Sequence, residues 1–466
     1  MKKISFFILL TLSGCLSGPN FKEPQLQLPD KFIESKEAGK IKNIKDWWQN
    51  FYDTALNTFI ERAIQNNFDV EIAKEKIREA RAMYNFEKAQ LFPEIDINGS
   101  YERRKVSQSL YESRFIGPPE QNLYQLGFDA SWEIDIFGKL RRGKIAAYHE
   151  VKAMIEEMCD VMISLICEVA RDYVEARYIQ QMISFQNSLI EKQNQIVFFM
   201  EDKFESGLID EILLENAKQI LKDYQAQLEP YKSSLKKTIY RITFLLNLPM
   251  GSLEKDFATL SPLPNTEDVL PEALPSDLLL RRPDIRKALQ DLASATNRVG
   301  EAFADYFPRF SLTGHYGWRS AFKEQMFDSS SNIWWIAPSV YWPLLDFGRI
   351  RSNVKAKTSK QKQTLLNYEK TVLFAFQEVE SAFAYYFKDL DKLKHVKQEF
   401  LATQKQKDLE IDLFQSGIKD QMSALEKAIN HLNTEKKLLD AKKEKMIDLI
   451  ALYKALGGGW ICSDSQ

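Results

Sequence analysis

Three motifs occur twice in this chain, in the same order. Phe92-Pro93-Glu94-Ile95-Asp96-Ile97-Asn98-Gly99-Ser100-Tyr101 returns as Phe307-Pro308-Arg309-Phe310-Ser311-Leu312-Thr313-Gly314-His315-Tyr316. Phe137-Gly138-Lys139-Leu140-Arg141 returns as Phe347-Gly348-Arg349-Ile350-Arg351, and Phe204-Glu205-Ser206-Gly207-Leu208 as Phe414-Gln415-Ser416-Gly417-Ile418. The offset is 215 residues for the first pair and 210 for the other two. Ordered recurrence at a near-constant spacing marks two tandem copies of one structural unit. Any fold for the chain must therefore be built twice from the same parts.

Within each copy the hydrophobic period changes. Residues 59–90 show helical spacing without Gly or Pro, and Pro93 ends the run. Ile95, Ile97 and Tyr101 then alternate with Asp96, Asn98, Ser100 and Glu102, the period of a strand. After a polar loop around Gly117-Pro118-Pro119, a second strand puts Tyr124, Leu126, Phe128, Ala130, Trp132, Ile134 and Ile136 on one face. Gln125, Asp129, Ser131, Glu133 and Asp135 take the other. In the second copy Phe310, Leu312, Tyr316 and Trp318 oppose Ser311, Thr313, His315 and Arg319. Trp334, Ile336, Val340, Trp342 and Leu344 form the apolar face of a fourth strand, which Pro338 and Pro343 weaken.

Long helices follow each strand pair. Residues 144–206 and 349–416 contain neither Gly nor Pro, and each run could reach roughly 95–100 Å as a helix. Gly207 and Gly417 stand where left-handed caps would end them, and residues 208–248 and 418–456 read as returning helices, with a kink expected at Pro230. The expected organisation is a first repeat over 46–248 (β-hairpin 94–137, helical hairpin 139–248) and a Pro-rich linker over 249–282. A second repeat covers 283–456 (β-hairpin 309–346, helical hairpin 349–456), with a tail over 457–466.

The amino terminus carries an address. Lys2 and Lys3 precede an apolar stretch from Ile4 to Leu12, too short to span a membrane, which ends in Leu12-Ser13-Gly14-Cys15. Small residues before a Cys resemble a bacterial lipobox. Residues 1–14 are then a signal peptide, 15–45 a lipidated extension, and Cys15 the acceptor of a diacylglycerol and an N-acyl chain. Leu16, in place of an Asp, favours the outer membrane.

Delivery to a membrane bears on the strands. Strands with one apolar and one polar face suit either a half-buried sandwich or a barrel wall. Four strands cannot close a barrel, yet lipid tolerates no open sheet edge, so several chains would have to pool their strands. Trp132, Trp318, Trp334, Trp335 and Tyr341 could then form an aromatic girdle. The alternative is a soluble sandwich beside a coiled coil. The helices carry apolar stripes, such as Ile163, Ile166, Ala170 and Val174, or Val372, Ala375, Phe376, Val379 and Phe383. Curved into a ring, they would make a tube.

Several function classes are disfavoured. Lys plus Arg number 63 and Asp plus Glu 65, without the basic surplus of a nucleic-acid-binding chain, so no nucleic-acid partner is expected. His149, His315, His395 and His431 have no metal-ligand spacing, and Cys159 and Cys167 lie too far apart along a helix to bond each other. Walker, dinucleotide and nucleophile-elbow motifs are absent, so neither catalysis nor a metal or other cofactor is expected.

Together these stretches resemble the lipoprotein (NodT-like) branch of the TolC/OprM outer-membrane efflux channel family. The resemblance rests on Gly18-Pro19-Asn20-Phe21, Trp47-Trp48 with Phe51, Ala130 to Gly138, and Arg281-Arg282-Pro283-Asp284-Ile285. Ala304 to Gly314, Pro343 to Gly348 and Leu456-Gly457-Gly458-Gly459-Trp460 complete it. It implies a mixed, mostly α fold in which a homotrimer forms a twelve-stranded membrane β-barrel and a periplasmic α-barrel. Each protomer gives four strands and two long helical hairpins. It also implies a passive exit duct for small toxic molecules, with a periplasmic adaptor and an inner-membrane transporter of the RND type as partners. The hairpin tips would carry the adaptor contacts (Phe204, Ser206, Gly207, Leu208, Phe414, Ser416, Gly417, Ile418). Acidic residues near them (Asp210, Glu211, Glu215, Asp420, Glu426) are the candidates for a cation-attracting gate, although Lys419 departs from a purely acidic tip. Two other readings stay open: the duct of a type I protein secretion system, and a lipid-anchored coiled-coil scaffold that conducts nothing.

Overall fold

A computed structural model describes residues 16–25, 29, 32–33, 46–105, 120–265 and 280–458. The signal peptide, Cys15, the loop at Gly117-Pro118-Pro119, residues 266–279 of the inter-repeat linker, Trp460 and Cys462 lie outside the described residues. The first half runs α1 (Thr54–Asn66), α2 (Phe68–Ala89), β1 (Glu94–Lys105), β2 (Glu120–Ile134), α3 (Lys139–Glu205) and α4 (Glu211–Leu245). The second runs α5 (Pro283–Phe303), β3 (Arg309–Ser320), β4 (Asn332–Tyr341), α6 (Arg349–Gln415) and α7 (Gln421–Ala455).

The duplication is exact at the level of pairing. Ile95 lies opposite Ala130 in the first hairpin, and Phe310 opposite Val340 in the second; Glu94 faces Ser131 as Arg309 faces Tyr341. These are the same positions under the two sequence offsets. α3 and α6 are each 67 residues long, and α4 and α7 are each 35. Pro230 lies inside α4, which continues through it to Leu245.

The chain forms two compact units, and both draw on both halves of the sequence. One holds the sheet with residues 76–154 and 287–369 of the flanking helices. Its four antiparallel strands run in the order β1-β2-β3-β4. Pro338 sits within β4, an edge strand, where a missing N–H is tolerated. The register places Ile97, Phe128, Tyr316 and Trp334 in one row and Asp96, Asp129, His315 and Trp335 in the next, on opposite faces.

The other unit comprises residues 26–75, 155–286 and 370–466, insofar as these are described. Its core is aromatic and aliphatic. Trp47, fully buried, stacks on Tyr453 at 5.0 Å, and Phe59 packs edge-on to Tyr173 at 5.7 Å. Asp53 caps α1 through the Ala55 and Leu56 amides, and its second oxygen accepts from the Tyr173 hydroxyl at 2.7 Å. Arg282 donates to the Ala455 carbonyl, to Asp284 and to Glu378, all at 2.7 Å, and so ties the start of α5 to α6 and to the end of α7. This accounts for the Arg281-Arg282-Pro283-Asp284 motif. Burial pushes the Cys167 thiol up to about 12, so it is inert.

Candidate functional site

Among the described residues, no core covers the apolar face of the sheet. Ile95, Ile97, Tyr101, Phe128, Trp132, Tyr316, Trp334, Ile336 and Val340 are all exposed. In water a contiguous apolar face of this kind would drive aggregation, and the two edge strands would add unpaired backbone groups. The soluble-sandwich alternative requires this face to be covered, and the described residues leave it open. A hydrocarbon environment satisfies it.

The opposite face is polar and tightly fitted. His315 Nδ1 lies 2.6 Å from Asp129 Oδ1, and Asn98 donates to the other Asp129 oxygen at 2.5 Å. The His315 ring lies across Gly127 and Gly317, which face each other in the register. A Cβ added at Gly127 would come within 2.6 Å of the imidazole. Trp335 stacks on the far side of that ring at 6.2 Å. Asp129 is 186 residues from His315 in the chain, and only the β2–β3 register makes them neighbours.

In the same unit the segment that follows Cys15 is docked against the helix that follows β2. Arg142 is buried and donates to the Ser17 carbonyl at 3.1 Å, the Gly18 carbonyl at 3.3 Å and Asn20 Oδ1 at 2.8 Å. Its remaining nitrogen donates to Asn297 Oδ1 at 3.0 Å, and the Ser17 amide donates to the Phe137 carbonyl at 3.0 Å. Gly18, at φ 79°, passes so close to Gly300 that a Cβ on Gly18 would lie 2.7 Å from the Gly300 Cα, and a Cβ on Gly300 would meet the Arg142 guanidinium at 2.8 Å. Gly18-Pro19-Asn20 is thus a docking sequence. Arg142, Asn297 and Gly300 escaped the sequence reading because nothing local marks a buried arginine as a clamp for distant carbonyls. Cys15 itself lies outside the described residues.

The hairpin tips are built alike. The Gly207 amide donates to the Phe204 carbonyl at 2.9 Å and the Leu208 amide to the Lys203 carbonyl at 2.8 Å. Gly417 to Phe414 and Ile418 to Leu413, both at 3.0 Å, repeat the pattern. Gly207 and Gly417 have φ of 71° and 72°, the left-handed geometry of this cap. Ser206 and Ser416 bond back to Asp202 and Asp412 through their amides. Leu208 and Ile418 are 74% and 70% exposed, so the apolar contact that usually buries this position is missing. Phe204 and Phe414 are partly exposed beside them.

The acidic candidates fall into two kinds. Asp210 and Asp420 are helix N-caps, accepting from the Leu213 amide at 2.9 Å and the Ser423 amide at 3.1 Å. Asp420 also lies 3.8 Å from Lys203, which joins one tip to the other. Glu215 pairs with Lys218 at 3.1 Å, and Glu211 and Glu426 are exposed. The sequence reading missed Glu410. It accepts from the Ser423 hydroxyl and lies 3.3 Å from Lys419, and these two partners hold its carboxyl below the ordinary range. Beneath the caps, Ile196, Val197, Ala217, Leu221 and Leu425 pack the two hairpins together.

The profile of the family described as outer membrane efflux protein matches residues 59–248 and 274–458. The chain is 27% identical over 478 residues to the solvent efflux pump outer membrane protein SrpC of Pseudomonas putida, covering 100% of this chain and 99% of that one. It is 28% identical over 482 residues to the cation efflux system protein CusC of Escherichia coli, covering 98% and 99%. Among solved structures, the outer-membrane channel OprN superposes with a TM-score of 0.87 at 28% identity, over 96% of this chain and 100% of that one.

Proposed function

The chain belongs to the outer membrane efflux protein family and is an outer-membrane channel component of an efflux pump, and we propose that three copies form its passive exit duct. One observation carries this reading: a four-stranded sheet with an exposed apolar face, a fitted polar face and two unpaired edges. Lipid covers the first, the second lines the lumen, and further copies of the sheet satisfy the edges.

In this reading Cys15 is lipidated. The docking of Ser17 to Asn20 on Arg142, in the unit that holds the sheet, supports an anchor close to the membrane-embedded strands. The tip residues Phe204, Ser206, Gly207, Leu208, Phe414, Ser416, Gly417 and Ile418 dock a periplasmic adaptor. Exposed Leu208 and Ile418 on rigid caps support that role. Glu211, Glu215 and Glu426, with the capping Asp210 and Asp420, bias the entrance toward cations. An inner-membrane transporter of the RND type supplies the energy and selects the cargo. Solvent and cation pump components are almost equally similar to this chain, so a small molecule or an ion is the cargo class.

The test is conductance together with efflux. Purified full-length protein in planar bilayers is expected to give discrete ion-conducting steps from heat-resistant trimers. Co-expression with its genomic adaptor and transporter should lower drug or metal accumulation in a channel-deleted strain. A monomer that never conducts would overturn the reading.

A further inference from the structure

Phe137 and Phe307 stack, with ring centroids 4.6 Å apart and planes 17° apart. This is a contact between the two repeats: Phe137 follows the first β-hairpin and Phe307 precedes the second. Each residue has a counterpart in the other repeat, Phe347 for Phe137 and Phe92 for Phe307. The counterparts do not meet within the chain. Phe347 is 101% exposed and Phe92 63% exposed. Phe347 is also held at φ 53°, a left-handed conformation that a bulky residue rarely adopts.

Equivalent positions elsewhere in the two repeats make equivalent contacts. The Trp132 indole donates to the Leu91 carbonyl at 3.0 Å, and the Trp342 indole to the Tyr306 carbonyl at 3.1 Å. The two β-hairpins share one register. The inter-repeat junction is the exception, because the chain forms it once, through β2 and β3, and leaves the matching edges β4 and β1 free. In a ring of copies those edges meet, and the junction is made again between chains.

We propose that Phe347 of one copy stacks on Phe92 of a second copy of this chain, repeating the Phe137–Phe307 contact and setting the register in which β4 meets β1. Carrying the β2–β3 register across, with Ala130 opposite Gly314 and Trp132 opposite Leu312, puts Val340 opposite Gly99 and Trp342 opposite Ile97 of the second copy. One difference marks the new junction. Phe303, edge-on to Phe307 at 6.1 Å, corresponds to Lys88, so the interchain stack carries a cation where the internal one carries a ring.

The proposal rests on several copies sharing one barrel, and cross-linking separates the two. Cys159, Cys167 and Cys462 are replaced by Ala in the full-length protein. Phe92→Cys with Phe347→Cys, and as a control Phe137→Cys with Phe307→Cys, are treated in membranes with a short bifunctional methanethiosulfonate. The first pair is expected to give a reducible ladder of covalent dimers and trimers that neither single variant gives. The control is expected to link within one chain and leave its mass class unchanged. Native trimers without a ladder, beside a control that links, would overturn the stack and leave the duct intact. Absence of trimers in the unsubstituted protein would overturn both. Where the cysteine variants fail to assemble, p-benzoylphenylalanine at position 347 serves instead. Its adduct should map to the peptide carrying residue 92 of another copy, and an adduct confined to its own chain would refute the contact.

Discussion

The carboxyl of Asp448, on α7, lies against the carboxyl of Asp389, on α6. Asp389 is buried, and the two acids are held together by the packing of the helical hairpin.

Two carboxylates in contact cannot both ionise cheaply, so the pair carries a proton that an exposed aspartate would lose. Burial, then the neighbouring Asp389 carboxyl, pushes Asp448 up to about 6, with Lys388 and Glu444 as the nearby charges. An aspartate in the unfolded chain titrates near 4. The folded state is then the stronger proton binder in that interval, and its stability falls as pH rises from about 4 through about 6. Thermal melting followed by circular dichroism should show a higher midpoint at pH 5 than at pH 7.5. Asp448→Asn should flatten that dependence; an unchanged slope would discard the shared proton.

Arg142 makes four hydrogen bonds from a buried position, three of them to the Ser17–Asn20 segment. Arg142→Ala strands those acceptors and the Asn297 amide oxygen. Each lost charge-assisted bond is worth roughly 1.5–3 kcal/mol. Limited proteolysis should cut near residue 20 faster in this variant, with the sheet still assembled. Equal cutting rates would show that the segment is held by other contacts.

Asp420 can act through its charge or through its cap, and two substitutions separate the roles. Asp420→Ala removes both, at a cost of about 1 kcal/mol for the cap. Asp420→Asn keeps a capping oxygen and loses only the charge. If the charge attracts cations, both variants lower cation selectivity in bilayers. A change in the alanine variant alone would assign Asp420 to the fold.

Gly127 and Gly317 leave just enough room for the His315 ring. Gly127→Ala drives a methyl into the imidazole, and overpacking of this kind typically costs about 1–3 kcal/mol. Heat resistance of the assembled protein should fall, and His315→Ala in the same chain should restore part of it. Absence of that coupling would mean the ring moves aside freely.

Much of this architecture can be read in one dimension. The duplication, the change from helical to alternating period, the glycine caps at 207 and 417 and the two faces of each strand are local patterns. They recur in the structure within a few residues: α3 starts at Lys139, and β2 ends at Ile134, short of Ile136. The candidate site was less legible. Asp210 and Asp420 read as gate acids, and the structure shows that each also caps a helix terminus. Glu410, the Ser423 hydroxyl and Lys419 became one cluster only when the second hairpin closed.

The sequence by itself determined which segments are strands and helices, where they end and which face of each strand is apolar. Those properties follow from the backbone period and from side-chain solvation at neighbouring positions. Only the tertiary structure decided that Arg142 holds the Ser17–Asn20 segment, that Asp129 meets His315, and that Phe137 finds Phe307 while Phe347 is left bare. These are contacts between residues far apart in the chain, set by strand register and helix packing. Identical motifs in the two repeats acquire different surroundings because one junction is closed inside the chain and the other is left open at its edge.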